Sequence, residues 1–290
     1  MRTGSVGHID CYLALVAECP DVRMEEFSSL TQFARLTRLH AILEVPAEGP
    51  VLERLLPESQ ITRAELVKLR LPGQGDKIIV TDWGMTNVPE GRYDAVLALA
   101  PLHHADEEQK RQYVTGAHRV VRQGGVLAFG EAEQGSAVAG FLDGYVNEHS
   151  PGGHRGAYLD KRFEEVIHAA GFTDVESKRI DFHWVFPDET TLEMYLTRLF
   201  RLEPLPAGEL TADVQRLLGI DRDGTVLRMR WSLRYFRAVK PRAGGRCAVF
   251  IPTNFWRGTG GGRPIPATIS TTFSFTERPT RLLPNHSSGV

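Results

Sequence analysis

The chain has 290 residues, a formal net charge of −2, and 42% hydrophobic against 24% charged residues. This is the balance of a globular protein with a sizeable core, so wholesale disorder is excluded. Near-neutrality gives no global reason to expect nucleic acid or an anionic membrane as a partner. No uncharged apolar run approaches the ~20 residues of a membrane span.

The net charge differs between the body and the end of the chain. Residues 241–290 contain six arginines and one acid, Glu277, whereas residues 1–240 hold 28 basic and 35 acidic side chains, a net charge of −7. The end segment is also rich in glycine, proline, threonine and serine, and cannot bury enough apolar surface to offset its ordering entropy. We therefore expect one domain over 1–240 and a basic, irregular tail over 241–290.

The cysteines and the start of the chain point to the cytoplasm. Cys11, Cys19 and Cys247 are an odd and sparse set for a disulfide framework, and none has metal-site spacing. The first residues lack the long apolar run of an export signal, because His8 and Asp10 interrupt it. A cytoplasmic location is the expectation.

Strands and helices alternate along the body. After a helical cap over 1–40, the pattern predicts a strand at 41–45, a helix at 51–56, strands at 60–65, 77–81 and 93–99, a helix at 106–122, a strand at 126–129, a helix at 161–170, a strand at 173–184, helices at 190–202 and 209–218, and a last strand at 225–236. Asp106 is a predicted N-cap, and Gly124-Gly125 is predicted to end its helix.

This alternation predicts the fold class. The inner strands are too apolar to face water, which is typical of a parallel sheet covered by helices on both faces. The last strand alternates apolar and polar residues, as an antiparallel strand does, and a helical insertion over 187–220 precedes it. We expect an α/β fold with a doubly wound, mostly parallel sheet.

Two acids stand where strands end. In an open α/β sheet the ligand binds at the carboxyl ends of the strands. Glu65 closes the second strand and is placed to accept hydrogen bonds from a ribose diol, although a solvated acid is the alternative. Asp82 follows the third strand and could bind an adenine amino group, with Trp83 on the ring plane. The alternative for Asp82 is a turn before Gly84.

Three stretches resemble motifs of a known family. Residues 91–104 read GRYDAVLALAPLHH, similar to an F/Y-D-x-V strand that ends in L-H-H. Residues 118–128 read HRVVRQGGVLA, similar to R-V-L-x-P-G-G-x-L, and Asp223-Gly-Thr-Val leads into the last strand. With these motifs residues 41–240 resemble the class I S-adenosylmethionine-dependent methyltransferases, particularly the small-molecule branch. The resemblance implies a Rossmann-like, seven-stranded sheet.

The resemblance also implies a co-substrate and its contacts. S-adenosylmethionine would be contacted by Glu44, Gly49, Glu65, Asp82, Trp83, Leu99 and Ala100. His103 or His104 would face the acceptor, and one of them could serve as a general base because imidazole titrates near working pH. The alternative is that a histidine at this strand end only hydrogen-bonds the backbone.

The first motif of that family is altered here. The family has E/D-x-G-x-G-x-G, and this chain keeps Glu44 but has Pro46, Glu48 and Pro50 at the three glycine positions. Proline lacks an N–H and glutamate adds bulk where backbone should approach the co-substrate closely. Gly49 is one position off and would serve only through a local shift.

Two hypotheses follow from this loop. In the first the chain is still a transferase, moving a methyl or a 3-amino-3-carboxypropyl group from S-adenosylmethionine. In the second it is a non-catalytic, methyltransferase-like binding or regulatory protein that has lost the co-substrate.

The resemblance further implies a small-molecule acceptor, in secondary-metabolite (antibiotic) biosynthesis. The acidic body lacks a basic stripe with interleaved aromatics, so no nucleic acid is expected, nor is a membrane partner; a homodimer stays open. The acceptor pocket is expected from apolar residues of the cap and insertion, with plain core as the alternative: Tyr12, Met24, Phe27, Phe33, Phe186, Met194, Tyr195 and Phe200.

We expect no metal site. His149 and His154 flank Pro151-Gly-Gly153 without an acid or cysteine at metal spacing along the chain. A flexible loop over the active site is the favoured interpretation of this segment.

Overall fold

The computed structural model describes residues 7–36, 41–66 and 78–242, and the side chains of residues 12–36 within the first of these ranges. All of these residues belong to one unit of the chain, Met1–Gly245. The predicted tail lies outside the described residues apart from its first two positions. The division at residue 240 therefore stays a prediction.

Eight strands and nine α-helices are described in these ranges. They are α1 Gly7–Glu18, α2 Met24–Ala34, β1 Ala41–Glu44, α3 Val51–Leu55, β2 Gln60–Leu66, β3 Ile78–Thr81, β4 Tyr93–Leu99, α4 Glu107–Val120, β5 Val121–Glu131, α5 Ala137–Gly140, α6 Asn147–His149, α7 Phe163–Ala169, β6 Thr173–Phe186, α8 Glu189–Phe200, α9 Glu209–Leu217, β7 Ile220–Asp223 and β8 Val226–Val239. A π-helical turn, Phe141–Val146, joins α5 to α6.

The sheet confirms the predicted α/β fold class. Its strand order is β3-β2-β1-β4-β5-β8-β6, with β1 to β5 parallel to one another and β8 antiparallel to both β5 and β6. The short β7 pairs only with β8 and adds an eighth strand to the seven of this path. Chain order reverses between β1 and β4, so their carboxyl ends form the switch point where such sheets bind ligands.

Successive side chains of the inner strands enter two cores. Leu97 and Leu99 of β4 lie on the face covered by α1, α2, α8 and α9, whereas Val96 and Ala98 lie on the face covered by α4 and α7. A strand that is buried on both faces explains why β4 is apolar throughout, since neither face meets water. No helix within the described ranges is long and apolar enough to cross a membrane.

The predicted end of the helix before β5 was wrong. The structure ends α4 at Val120, and Val121 is already extended (φ −72°, ψ 143°) and paired with Tyr93 of β4. A register shift follows, so the glycine pair lies inside β5, where Gly124 donates its N–H to the carbonyl of Lys240 (2.8 Å). Pairing with distant strands overrides the local helix-stop signal.

Candidate functional site

The loop after β1, residues 45–50, covers the switch point. Gly49 has a φ of +96°, and a Cβ added to it would lie 3.2 Å from Cγ1 of Val16 in α1. Its carbonyl accepts a hydrogen bond from Nη2 of Arg63 (2.7 Å). Glycine is therefore required here for the turn and for close approach to the N-terminal cap.

Glu44 supports this loop from below. Its side chain is buried, and Oε2 lies 2.9 Å from Nε of Arg63. Burial raises the pKa of Glu44, while Arg63 and the backbone N–H of Glu48 oppose the rise. The acid that begins the family's first motif thus holds the loop.

Glu48, at one of the substituted glycine positions, is neutralised from the cap. Its Oε2 lies 2.8 Å from Nη1 of Arg23, and it also accepts from the hydroxyl of Tyr12. Arg23 is itself buried, with Nε 2.5 Å from Oε2 of Glu26 and its guanidinium over the ring of Trp184. An added carboxylate in this loop is tolerated because α2 and the turn before it supply a buried cation.

Glu65 lies beneath the same loop, at the carboxyl end of β2. It is 2% exposed, and its Oε2 has no hydrogen-bond partner among the described residues. Burial raises the pKa of Glu65 to about 8, and the charge of Glu48 adds to the rise, whereas backbone hydrogen bonds from Ala47 and Leu66 lower it. A buried polar atom without a partner is uncommon, which marks this carboxyl group as a candidate ligand contact.

Asp82 forms a turn. Its Oδ1 accepts the backbone N–H of Thr86 (2.8 Å) and its Oδ2 accepts the hydroxyl of Thr86 (2.6 Å). Burial opposes ionisation, but these hydrogen bonds, together with the charge of Arg119, lower the pKa of Asp82 overall. Trp83 is partly buried against the core on the α4 face. The turn interpretation of Asp82 is confirmed, and any adenine contact would have to share its oxygens with Thr86.

The end of β4 changes direction at Ala100. Leu99 is fully buried, and Ala100 has a φ of +47°, unusual for a residue with a side chain. The N–H of Ala100 donates to the carbonyl of Gly130 (2.7 Å). This bend directs the following residues, including His103 and His104, over the strand ends.

Glu131, at the end of β5, fixes the segment after that bend. Oε2 accepts the backbone N–H groups of Leu102 (2.7 Å) and His103 (3.1 Å), and Oε1 accepts that of Ala132 (2.9 Å). Oε1 also lies 3.0 Å from Nδ1 of His103. Burial would lower the pKa of His103, but Glu131, with the charges of Asp143 and Glu48, raises it overall.

His104 and His154 lie beside His103. Ring centroids are 4.1 Å apart for His103 and His104, and 4.8 Å apart for His104 and His154. Nδ1 of His154 lies 3.1 Å from Oδ1 of Asp143, a residue of the π-helical turn. The same Oδ1 accepts a hydrogen bond from the hydroxyl of Tyr158 (2.7 Å). Burial lowers the pKa of His154 more than Asp143 raises it. These three histidines are named the histidine cluster below.

The segment that carries His154 is tied down over the strand ends. The N–H of Ala157 donates to the carbonyl of His103 (2.7 Å), and the N–H of His154 donates to Oδ1 of Asn147 (3.0 Å). His149 lies apart from the cluster, with its ring centroid 4.3 Å from that of Tyr145 and the two rings tilted by 40°. The loop predicted over this edge is thus attached by hydrogen bonds to His103 and Asn147.

Neither the apolar residues predicted to line an acceptor pocket nor the described surface cavity lies with the residues discussed above. The apolar residues of the cap and insertion, such as Phe27, Phe186 and Tyr195, are buried in the core on the α1 face, which confirms the plain-core alternative for these three. A surface cavity of about 320 Å³ is lined by residues of α5, β6 and β8, including Phe182 and Trp231. It contains none of the predicted site residues.

A protein-family model identifies the domain that contains this sheet edge. The model described as a methyltransferase domain matches residues 58–129, from the turn before β2 into β5. The chain contains a methyltransferase domain. The family predicted from the sequence is thereby confirmed over residues 58–129, which include Glu65, Asp82, His103 and His104.

Solved structures are similar to this methyltransferase domain at low identity. A candidate methyltransferase of Bacillus halodurans is 21% identical, over 75% of this chain and 99% of that one, with a TM-score of 0.47. The 1,6-didemethyltoxoflavin-N1-methyltransferase of Burkholderia thailandensis is 16% identical, over 80% and 85%, with a TM-score of 0.43. An S-adenosylmethionine-dependent methyltransferase of Archaeoglobus fulgidus is 14% identical, over 77% and 94%, with a TM-score of 0.43. The comparison with curated proteins gives no significant match.

The sequence alone did not predict Glu131, Asp143 or Arg23 as parts of this candidate site. Each pairs with a partner that is distant along the chain, His103, His154 and Glu48 respectively. The one available signal was an acid at the carboxyl end of a buried strand, which singles out Glu131 as it did Glu65.

Proposed function

We propose that the chain is an S-adenosylmethionine-dependent methyltransferase with a small-molecule acceptor. The observation that carries the proposal is Glu65, a buried carboxyl group at the carboxyl end of β2, inside the matched domain, with one oxygen that has no hydrogen-bond partner among the described residues. A carboxylate at this place is suited to accept hydrogen bonds from both hydroxyls of a ribose. Binding there would satisfy Oε2, which is otherwise costly to bury.

The other contacts follow from the same sheet edge. Asp82 and Trp83 are assigned to the adenine, with Asp82 sharing its oxygens between Thr86 and the base. Leu99 and Ala100, at the end of β4, are assigned to the donor side of the co-substrate. His103 and His104 follow the bend at Ala100 and are assigned to the acceptor.

Methyl is the group we propose to be transferred, because the matched family is that of methyltransferases. Transfer of 3-amino-3-carboxypropyl remains the alternative, motivated by Pro46, Glu48 and Pro50 in the loop. The mass gained by an acceptor distinguishes the two groups. An acceptor gain of one methyl supports the proposal, and a gain of the longer chain replaces it.

A second candidate is a binding or regulatory protein that has lost the co-substrate. Two contacts of the loop favour it: the backbone N–H of Ala47 already hydrogen-bonds Glu65, and Glu48 is engaged by Arg23. The loop would have to open for the methionine part to enter. A role in antibiotic biosynthesis, a homodimer and a cytoplasmic location stay predictions from the sequence.

Calorimetry with S-adenosylhomocysteine tests the proposal. Wild-type protein should bind it, and Glu65→Ala should weaken binding by at least about tenfold, since a pair of hydrogen bonds to a buried carboxyl group is lost. Glu90→Ala, at an exposed acid outside the site, is the matched control and should bind as wild type does. No heat with wild-type protein, and no thermal shift, would favour the second candidate.

A further inference from the structure

The histidine cluster is assembled from separate parts of the chain. His103 and His104 follow β4, and His154 lies after α6, yet the nearest ring nitrogens of all three lie within 4.8 Å of one another. The side chains of His103 and His154 are 13% and 12% exposed, whereas His104 is exposed. Three imidazoles at this separation form a set of converging nitrogen donors.

Two of the three rings are oriented by carboxylates. Nδ1 of His103 is held by Glu131 and Nδ1 of His154 by Asp143, at 3.0 and 3.1 Å. A carboxylate only accepts, so each Nδ1 carries the proton and Nε2 of each ring presents a lone pair. A histidine that binds a metal almost always donates its other ring N–H to such a partner.

The two carboxylates are themselves held by the main chain. Glu131 is fully buried and accepts backbone N–H groups from Leu102 and His103, after β4, and from Ala132, after β5. Asp143 accepts the N–H of Gly156 (2.8 Å) and the hydroxyl of Tyr158. The orientation of both rings is therefore set by hydrogen bonds within the fold.

We propose that His103, His104 and His154 bind one divalent transition-metal ion through their ring nitrogens, with Zn²⁺ as the best fit. Imidazole suits Zn²⁺, and three protein ligands with an open fourth position are typical of catalytic zinc sites. Tetrahedral coordination at about 2.0–2.1 Å sets neighbouring nitrogens roughly 3.3 Å apart. This proposal replaces the sequence-based expectation of no metal, which considered only neighbours along the chain.

The open position indicates the class of acceptor, a step that rests on the proposed function. The cluster follows Ala100, at the strand end assigned to the donor side of the co-substrate. A metal ion at that place would hold a hydroxyl or carboxylate oxygen of the acceptor in a fixed position. The acceptors that fit are small molecules with such an oxygen, and purely hydrocarbon acceptors do not.

Cobalt titration tests the site on the full chain. Chelator-treated protein is titrated with Co²⁺ and its visible absorption recorded, and Zn²⁺ is then added in competition. We expect one equivalent to give the intense bands of tetrahedral Co²⁺, and Zn²⁺ to abolish them. His104→Ala, whose exposed side chain puts the fold at little risk, should remove the bands, as should His154→Ala.

Asp143→Asn separates a metal site from a stacked group of rings. It should weaken metal binding about 10–100-fold, because it removes the acceptor that orients His154. His149→Ala removes an imidazole of α6 that lies outside the histidine cluster, and it should leave the cobalt titration unchanged. Absence of the bands in wild-type protein, or bands that persist in both His104→Ala and His154→Ala, would overturn the proposal.

The two proposals fail separately. Heat with S-adenosylhomocysteine in chelator-treated protein and no cobalt bands would refute the metal site alone. Cobalt bands without that heat would refute the proposed function and leave the metal site intact.

Discussion

Arg23 and Glu48 form a buried ion pair, with Nη1 2.8 Å from Oε2, that joins the helical cap to the loop after β1. Their side chains are 6% and 9% exposed. The pair explains how a glutamate can stand where the family has glycine, because the cap brings a cation to it. It also makes the loop and the cap one structural unit.

Arg23→Met should therefore destabilise the protein strongly. The substitution leaves Glu26 and Glu48 buried without their cation, a loss of about 3–5 kcal/mol in the free energy of unfolding. Arg35→Met, which breaks an exposed pair with Glu176, is the matched control and should cost at most about 1 kcal/mol. Urea denaturation of both variants measures the difference, and equal costs would contradict a structural role for the pair.

Glu65 should make stability fall as pH rises. Its pKa is raised from 4.5 to about 8 in the folded protein, so the folded state keeps the proton that the unfolded chain releases. Its contribution is favourable below pH 4.5 and is lost as pH rises towards 8, a change on the order of 4 kcal/mol. Glu65→Gln removes this dependence.

The measurement is the free energy of unfolding of wild type and Glu65→Gln at pH 5 and pH 9, without co-substrate. Relative to the wild type, the free energy of unfolding of Glu65→Gln should be higher at pH 9 than at pH 5. Glu90→Gln, at an exposed acid, should follow the wild type at both values. A pH profile of Glu65→Gln parallel to wild type would refute the neutral, buried state of Glu65.

Local signals predicted the elements whose partners are near in sequence. The bounds of β4, residues 93–99, were predicted correctly, because the apolar run is interrupted at both ends. Asp106 was predicted as an N-cap, and it forms a full capping box with Gln109. Glu65 was found because strand ends meet at one edge of a parallel sheet.

The rest of the site depends on pairings that leave no local trace. Glu131 and His103 are 28 residues apart, and Arg23 and Glu48 are 25 apart. The local sequence places Val121 at the end of a helix, whereas in the structure Val121 pairs with Tyr93 in the sheet. Such contacts are set by the order of strands, and a single sequence does not show which side chains that order brings together.

The capping box gives a third prediction. Oδ1 of Asp106 accepts the N–H of Gln109 (2.8 Å), and the N–H of Asp106 donates to the side chain of Gln109 (3.0 Å). Asp106→Ala should cost about 0.5–2 kcal/mol, because the first turn of α4 loses its side-chain acceptor. Asp106→Asn keeps an acceptor and should stay within a few tenths of a kcal/mol of the wild type. Thermal denaturation checks both, and an unchanged midpoint in Asp106→Ala would show that water replaces the cap fully.

The last prediction concerns the contact between α4 and the turn that holds Asp82. A Cβ added to Gly116 would lie 2.5 Å from the carbonyl oxygen of Gly84, which is backbone and has little room to move. Gly116→Ala should therefore destabilise the protein by about 1–3 kcal/mol, despite the better helix propensity of alanine. It should also weaken S-adenosylhomocysteine binding, since α4 or the turn beside Trp83 must shift.

Gly140→Ala is its matched control. Gly140 is helical too, and outside its own helix backbone no atom of the described residues lies within 4 Å of an added Cβ. Alanine should raise stability there by up to about 1 kcal/mol through helix propensity alone. Urea denaturation should thus move the two glycine variants in opposite directions. A gain in stability for both would show that the turn beside Trp83 yields to α4 without cost, and the adenine side of the site would then have no rigid support from this helix.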